Sequence, residues 1–69
     1  MNNDVFKKPT QAEINLIVER ANKKRKKENV SIINLSEKLQ VNYCNLTRVL
    51  NGNLVNYQII NKLNEWINE

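Results

Sequence analysis

Residues 31–52 decide the fold, and they read SIINLSEKLQVNYCNLTRVLNG. Apolar residues recur there at helical spacing in two sets, which are Ile32, Leu35 and Leu39, and then Leu46, Val49 and Leu50. Val41 stands between the two sets, where we expect it to fill the space between two helices. The only glycine, Gly52, follows Asn51 and predicts the end of the second helix, because glycine adopts the left-handed conformation cheaply. Two short helices joined this tightly are typical of a helix-turn-helix.

The same stretch resembles the lambda repressor-like family, the phage repressor and Cro-type (XRE-type) helix-turn-helix proteins. Members commonly read Leu-Ala-x-x-Leu-Gly-Val-Ser, then Ser-Arg-Ile or Ser-Arg-Val a few residues later, and a helix-ending Asn-Gly or Arg-Gly. The corresponding runs here are LSEKLQVN at 35–42 and TRVLNG at 47–52. About 22 of the 69 residues carry the resemblance. It implies an all-α fold, a compact four- to five-helix bundle that contains a helix-turn-helix.

The chain departs from the family pattern at several positions. Gln40 replaces the turn glycine, so it must adopt a left-handed conformation or reshape the turn. Ser36 replaces a small alanine and should still fit between the helices. Many relatives have a glutamate, paired to an arginine at the position of Arg25, where this chain has Leu50. Leu50 cannot form that pair, and we expect it in the core. Ile32 stands where relatives often place a phosphate-binding glutamine.

Local signals predict two further helices. Thr10 followed by Glu13 is typical of a capping box, which places a helix from about residue 11 to Lys27 or Glu28. Its apolar stripe would be Ile14, Ile17, Val18 and Ala21, with Leu16 off the stripe. Asn56 is the expected N-cap of a last helix over about 57–68, and Ser31 and Asn42 cap the two helices between. The apolar residues of the last helix are Ile59, Ile60, Leu63 and Ile67, with Trp66 beside them.

The remaining segments are short. Residues 1–9 show no periodicity and predict a flexible N-terminal arm, in which Phe6 is the residue able to fold back onto the body. Leu54 and Val55 are expected to make apolar contacts in a short connection. Residues 10–69 then form one helix-turn-helix DNA-binding domain, near the lower size limit for independent folding.

Composition argues against several classes of protein. Cys44 is the only cysteine, so no disulfide forms within the chain, which suits a reducing cytosol. Without histidine or a glycine-rich loop, no metal cluster, cofactor or phosphate loop can be drawn, and we expect no enzyme. No apolar run is long enough for a membrane span or a signal peptide. The expected location is the bacterial cytoplasm, with nucleoid association when the protein is bound to DNA.

The positive charge is concentrated in one segment. The net charge is +4, and six of the eight residues 20–27 are Lys or Arg while none is acidic. Such a run is typical of a protein that binds a polyanion. It is also consistent with a solvated helix face, and with a set of cations that complements the helix dipole.

The resemblance assigns two sets of candidate contacts with double-stranded DNA. Base contacts are expected from the recognition helix over residues 42–51, at Tyr43, Cys44, Asn45, Thr47 and Arg48. Phosphate contacts are expected from residues around both helices and from the basic run, namely Ser31, Ile32, Asn42, Asn51, Asn53, Lys26 and Lys27. Cys44 has an alternative role as a redox switch. The alternative for the whole set is an ordinary exposed polar helix face.

These observations predict a sequence-specific transcriptional regulator, a repressor of phage or mobile-element type, which pairs as a homodimer through Trp66 and Ile67 of the C-terminal helix. A LacI-like headpiece is a second possibility, because TRVLN at 47–51 also resembles that family. The long helix before the motif and the missing hinge helix argue against it. A different class is a protein-binding adaptor or antirepressor that docks through Trp66. A non-specific nucleoid or RNA binder would need more stacking aromatics than one Trp, two Tyr and one Phe.

Overall fold

The computed structural model describes residues 8–69, which form four α-helices and contain no strand. The helices are α1 (Gln11–Lys27), α2 (Ile32–Leu39), α3 (Tyr43–Leu50) and α4 (Tyr57–Ile67). The predicted all-α class is therefore confirmed, with four helices in the described part. The predicted arm over residues 1–9 and the expectation for Phe6 fall mostly on residues 1–7, which lie outside the described residues.

Each helix begins at a side-chain cap that the sequence predicts. At α1 the Glu13 N–H donates to Thr10 Oγ1 at 3.2 Å and the Thr10 N–H donates to Glu13 Oε1 at 2.8 Å, which completes the capping box. Ser31, Asn42 and Asn56 accept in the same way from the amide three residues later, at 3.0–3.1 Å. These caps satisfy amides that have no acceptor inside their helix, so they set where each helix starts.

Three helices end in the same backbone motif, with a left-handed residue just past the last turn. Gly52 has φ 80°, Gln40 has φ 58° and Asn29 has φ 59°. After α2, for example, the Val41 N–H donates to the Ser36 carbonyl at 3.0 Å, the longer hydrogen bond of a Schellman motif. Gln40 thus takes the left-handed conformation, the first of the two alternatives that its sequence allows. The left-handed conformation of Asn29 was not predicted.

The core draws side chains from all four helices. Among residues 8–69 it contains ten buried apolar residues, namely Ile14, Ala21, Leu35, Leu46, Val49, Leu50, Ile59, Ile60, Leu63 and Trp66. α1 packs mainly along α4, α2 packs against α3, and α3 also touches α1 and α4. Leu50 is buried as predicted, and Ser36 fits between the helices with its hydroxyl donating to the Ile33 carbonyl at 2.7 Å.

The burial of Trp66 contradicts the prediction that this residue forms a docking or dimer surface. Its side chain is only 2% exposed and belongs to the core. The reason is helical spacing, because Ile59, Leu63 and Trp66 follow one another on the inward face of α4. Ile67 is half-buried and packs against the same core. Neither the predicted homodimer nor an adaptor can therefore use Trp66 as an exposed anchor.

Two other apolar predictions concern side chains outside the core. Leu16 is 45% exposed, as its position off the stripe predicts. In the short connection, Leu54 packs against the core, whereas Val55 is 47% exposed and lines a cleft with Val18 and Val49. The two residues are consecutive in a connection with no regular structure, and only one of them faces inward there.

Candidate nucleic-acid interface

α3 has one buried apolar side and one exposed polar side. Leu46, Val49 and Leu50 pack inward. Cys44 and Arg48 are one helical turn apart, and both are exposed on the opposite side. Tyr43 is 46% exposed at the start of the same helix. Because the inward residues are fully packed, they fix the direction in which Arg48 and Cys44 point.

The other two predicted base-contacting residues lie at the edges of this face. Thr47 is half-buried, and its hydroxyl donates to the Tyr43 carbonyl at 2.9 Å. It therefore offers a partner its methyl group and an oxygen lone pair, since the hydroxyl hydrogen is already used. Asn45 is also half-buried, and it lines a cleft with Gln40, Asn42 and Asn56. Asn45 thus points toward the start of α4 more than Arg48 does.

The residues around the two helix ends are the predicted phosphate contacts. Ser31 Oγ accepts from the Asn34 N–H at 3.1 Å, while the first amides of α2 lack acceptors inside the helix. Free amides at a helix N-terminus attract anions. The side chain of Ile32 packs against the core, so only its amide is suited to such a contact. Asn42 uses its amide oxygen as a cap and keeps its NH₂ group as a donor.

Asn51 and Asn53 end α3 on the exposed side. Asn51 is the C-cap, and its amide donates to the Thr47 carbonyl at 3.0 Å. The Asn53 amide donates to the Arg48 carbonyl at 2.8 Å. Their backbones are therefore held by α3, whereas both residues are exposed. Two carboxamide groups extend the polar face of α3 beyond its last turn.

Lys26 is one of two basic residues, with Arg25, that the fold brings to the start of α2. It is exposed and lines a groove of about 370 Å³ with Arg25, Asn29 and Ser31, at the start of α2. One turn earlier on the same side of α1, the Asn22 side chain donates to the carbonyl of Leu50, at the end of α3, at 3.1 Å. Lys26 therefore lies beside the N-terminus of α2, one turn after the residue through which α1 contacts the end of α3.

The other basic residues of the run 20–27 have different neighbours. Lys24 Nζ donates to the Trp66 carbonyl at 2.6 Å and lies 4.7 Å from the centre of the Trp66 ring. The guanidinium of Arg25 donates from Nη1 to the Val30 carbonyl at 3.5 Å, and its buried Nε has no hydrogen-bond partner among the described residues. Lys27 points about 100° away from Lys26 around the axis of α1. The fold thus separates the predicted pair Lys26 and Lys27.

Sequence reasoning missed two of these contacts. Asn22 and Lys24 both bind carbonyls at helix ends that lie far along the chain, at Leu50 and Trp66. No local pattern marks them, because their partners are 28 and 42 residues away. Lys24 is a cation near the last carbonyls of a helix, which is a favourable pairing with the dipole, but the helix is α4 rather than its own α1.

The same part of the chain offers little for other kinds of site. Across residues 8–69, no three His, Cys, Asp or Glu side chains are grouped so that they could hold a metal ion. None of the four helices of the described part is long and apolar enough to cross a membrane. Cys44 is an exposed free thiol. Comparisons with protein-family models, with curated proteins and with solved structures find no match to this chain.

Proposed function

We propose that this protein binds double-stranded DNA sequence-specifically as a small transcriptional repressor of phage or mobile-element type. In this proposal α2 and α3 act as a helix-turn-helix, and α3 enters the major groove. The observation that carries it is the exposed polar face of α3 opposite a fully buried apolar face, with the N-terminus of α2 and Lys26 alongside. The resemblance of residues 31–52 to phage repressors supports the same proposal.

The proposal gives the two sets of residues different tasks. Arg48, the most central long side chain of the exposed face, binds guanine through two hydrogen bonds, and Cys44 and the methyl group of Thr47 make apolar contact with thymine methyl groups. Tyr43 and Asn45 act at the edges of the contact. Lys26 and the first amides of α2 bind phosphates, which orients α3 but selects no sequence. Asn51 and Asn53 extend this phosphate contact past the end of α3.

The alternative function, a protein-binding adaptor, depended on an exposed tryptophan that this fold buries. Its docking surface was to be an exposed Trp66, and that side chain lies in the core. The polar character of the α3 face also differs from most protein-binding surfaces, whose centres are depleted in charge and rich in aromatic residues. Tyr43 is the only aromatic residue of α3.

Selection of bound sites from random duplex DNA tests the proposal. We expect one family of related sequences to be enriched, and the purified protein to bind the best site with an affinity at least about a thousandfold above that for unrelated DNA. Binding should weaken as salt rises, because phosphate contacts release counterions. Enrichment of no sequence, together with weak binding to all duplexes alike, would contradict a sequence-specific regulator. No binding at low salt would favour the adaptor.

A further inference from the structure

A groove of about 300 Å³ runs between α1 and α4. Residues from the start of the chain, from α1 and from α4 line it, namely Pro9, Glu13, Leu16, Ile17, Arg20, Asn61 and Asn64. Leu16 is 45% exposed in it, while Ile17 is half-buried. Leu16 and Ile17 therefore form an apolar centre, and the polar side chains of Glu13, Arg20 and two asparagines of α4 surround it.

The residues of α1 that line the groove are arranged symmetrically about its centre, as a contact between two copies of one helix requires. Leu16 and Ile17 stand at the centre of the groove, Glu13 comes three residues before Leu16, and Arg20 comes three residues after Ile17. We propose that a second copy of this chain docks here, with its α1 antiparallel to the first. The two-fold axis then passes between Leu16 and Ile17.

In this arrangement the charges are complementary. Glu13 of each copy faces the partner's Arg20, so the interface contains the same ion pair twice, as a two-fold dimer requires. One oxygen of the Glu13 carboxylate accepts from the Thr10 amide, which leaves the other oxygen for the guanidinium. Arg20 is exposed and makes no hydrogen bond or ion pair with the other residues of 8–69. A parallel arrangement would instead bring like charges together.

The position of the groove is compatible with DNA binding. It lies on the flank of α1 that faces α4, whereas α3 meets the other flank, where Asn22 binds the Leu50 carbonyl. A dimer formed through the groove therefore leaves Arg48 and the polar face of α3 uncovered. The groove has seven lining residues, whereas a stable interface has roughly 20–30 residues on each partner. The dimer should therefore be weak in free solution. Two copies on one duplex would be held at a high effective concentration.

Sedimentation equilibrium of the whole chain at low salt, from about 10 μM to about 1 mM, tests this dimer. We expect the natural protein to dimerise within that range. Arg20→Glu should weaken the dimer by about tenfold or more, because two ion pairs are replaced by two repulsive contacts. The matched control is Lys38→Glu, which makes the same charge change at an exposed residue of α2 outside the groove, and it should leave the dimer within about twofold. Lys38 also loses its ion pair with Glu69 at 3.8 Å, but both side chains are exposed, so that pair contributes little to stability.

A mixture of two variants distinguishes the specific pair from a general charge effect. Glu13→Arg alone should also dissociate the dimer, with circular dichroism used to check that the loss of the capping box leaves it folded. When it is mixed with Arg20→Glu, each carboxylate again faces a guanidinium, and a mixed dimer should form with an affinity close to the natural one. Leu16→Ala removes apolar surface from the centre of the groove and should also weaken the natural dimer.

Three results would overturn the proposal. One is a monomer at every concentration, whether the groove is then empty or covered by residues 1–7 of the same chain. Another is equal weakening by Arg20→Glu and Lys38→Glu, which would show a net-charge effect. The last is that the mixture of folded Glu13→Arg and Arg20→Glu proteins stays monomeric. None of these measurements involves DNA, so this dimer and the proposed function fail or succeed separately.

Discussion

Replacement of Gln40 by glycine should stabilise the protein. Gln40 is exposed and ends α2 with φ 58°, in the left-handed region. That conformation costs a residue with a Cβ atom roughly 1–2 kcal/mol, and glycine avoids the cost. Glycine also loosens the unfolded chain, which offsets about 0.4–1 kcal/mol of the gain. The expected net gain in the free energy of unfolding is therefore about 0.5–1 kcal/mol, or about 2–8 °C in Tm for a domain of this size.

Thermal unfolding followed by circular dichroism measures this gain, and the chain contains two matched positions. Asn29 has nearly the same φ, 59°, at the end of α1. Asparagine tolerates the left-handed region better than glutamine, so Asn29→Gly should gain less than Gln40→Gly. Gly52 has φ 80° and no atom within 4 Å of an added Cβ. Gly52→Ala should therefore cost about 1 kcal/mol through backbone strain alone.

The order of the three variants is what tests the reasoning. Gln40→Gly should be the most stable, Asn29→Gly should be slightly above the natural protein, and Gly52→Ala should be below it. A lower Tm for Gln40→Gly would refute the strain argument at that turn. It would mean that the Gln40 side chain makes a contact worth more than the strain, for instance in the cleft that it shares with Asn42 and Asn45.

Three further predictions concern the proposed DNA-binding face and the core. Arg48→Ala should cost about 1–3 kcal/mol on the selected site and relax preference at one base position, without changing Tm. Binding titrations on single-base variants of the site check this, and a uniform loss on all DNA would assign Arg48 to phosphate. Lys26→Gln should weaken binding to all sequences alike and lower the salt slope by about one, whereas Lys27→Gln should change the slope less. Equal slopes for the two variants would contradict the separation of Lys26 from Lys27. Lys24→Ala should lower the free energy of unfolding by about 1–3 kcal/mol in a denaturant titration, because it leaves the Trp66 carbonyl without its donor and the ring without its cation. An unchanged midpoint would show that water replaces the ammonium group there.

The sequence anticipated the helices well because their ends depend on neighbours. The Thr10–Glu13 capping box and the caps at Ser31 and Asn42 each join residues only three apart, so residue type and spacing are enough to predict them. The left-handed residue at Gln40 was one of two predicted alternatives for the same reason. The exposed face of α3 also follows from spacing, since the apolar residues define the opposite side.

It was harder to predict which residues belong to the candidate site. Spacing places Arg48 and Cys44 on the outward face, and it does not reveal that Asn45 turns into a cleft beside α4. Six basic residues in eight suggested one patch. Around a helix they point in several directions, and only contacts with other helices decide which of them reach the candidate interface. Lys26 and Arg25 both line the groove at the start of α2, and of the two only Lys26 is exposed.

Local sequence was enough to specify the helix starts, the helix ends at Gln40 and Gly52, and the apolar side of each helix, because these depend on interactions within a few residues. Only the packing of the four helices let Lys24 bind the Trp66 carbonyl from 42 residues away and formed the groove beside Leu16, between α1 and α4. The physical reason is that an amphipathic stripe specifies that a side chain packs inward, whereas its partner depends on how the helices cross. That crossing is a property of the whole core.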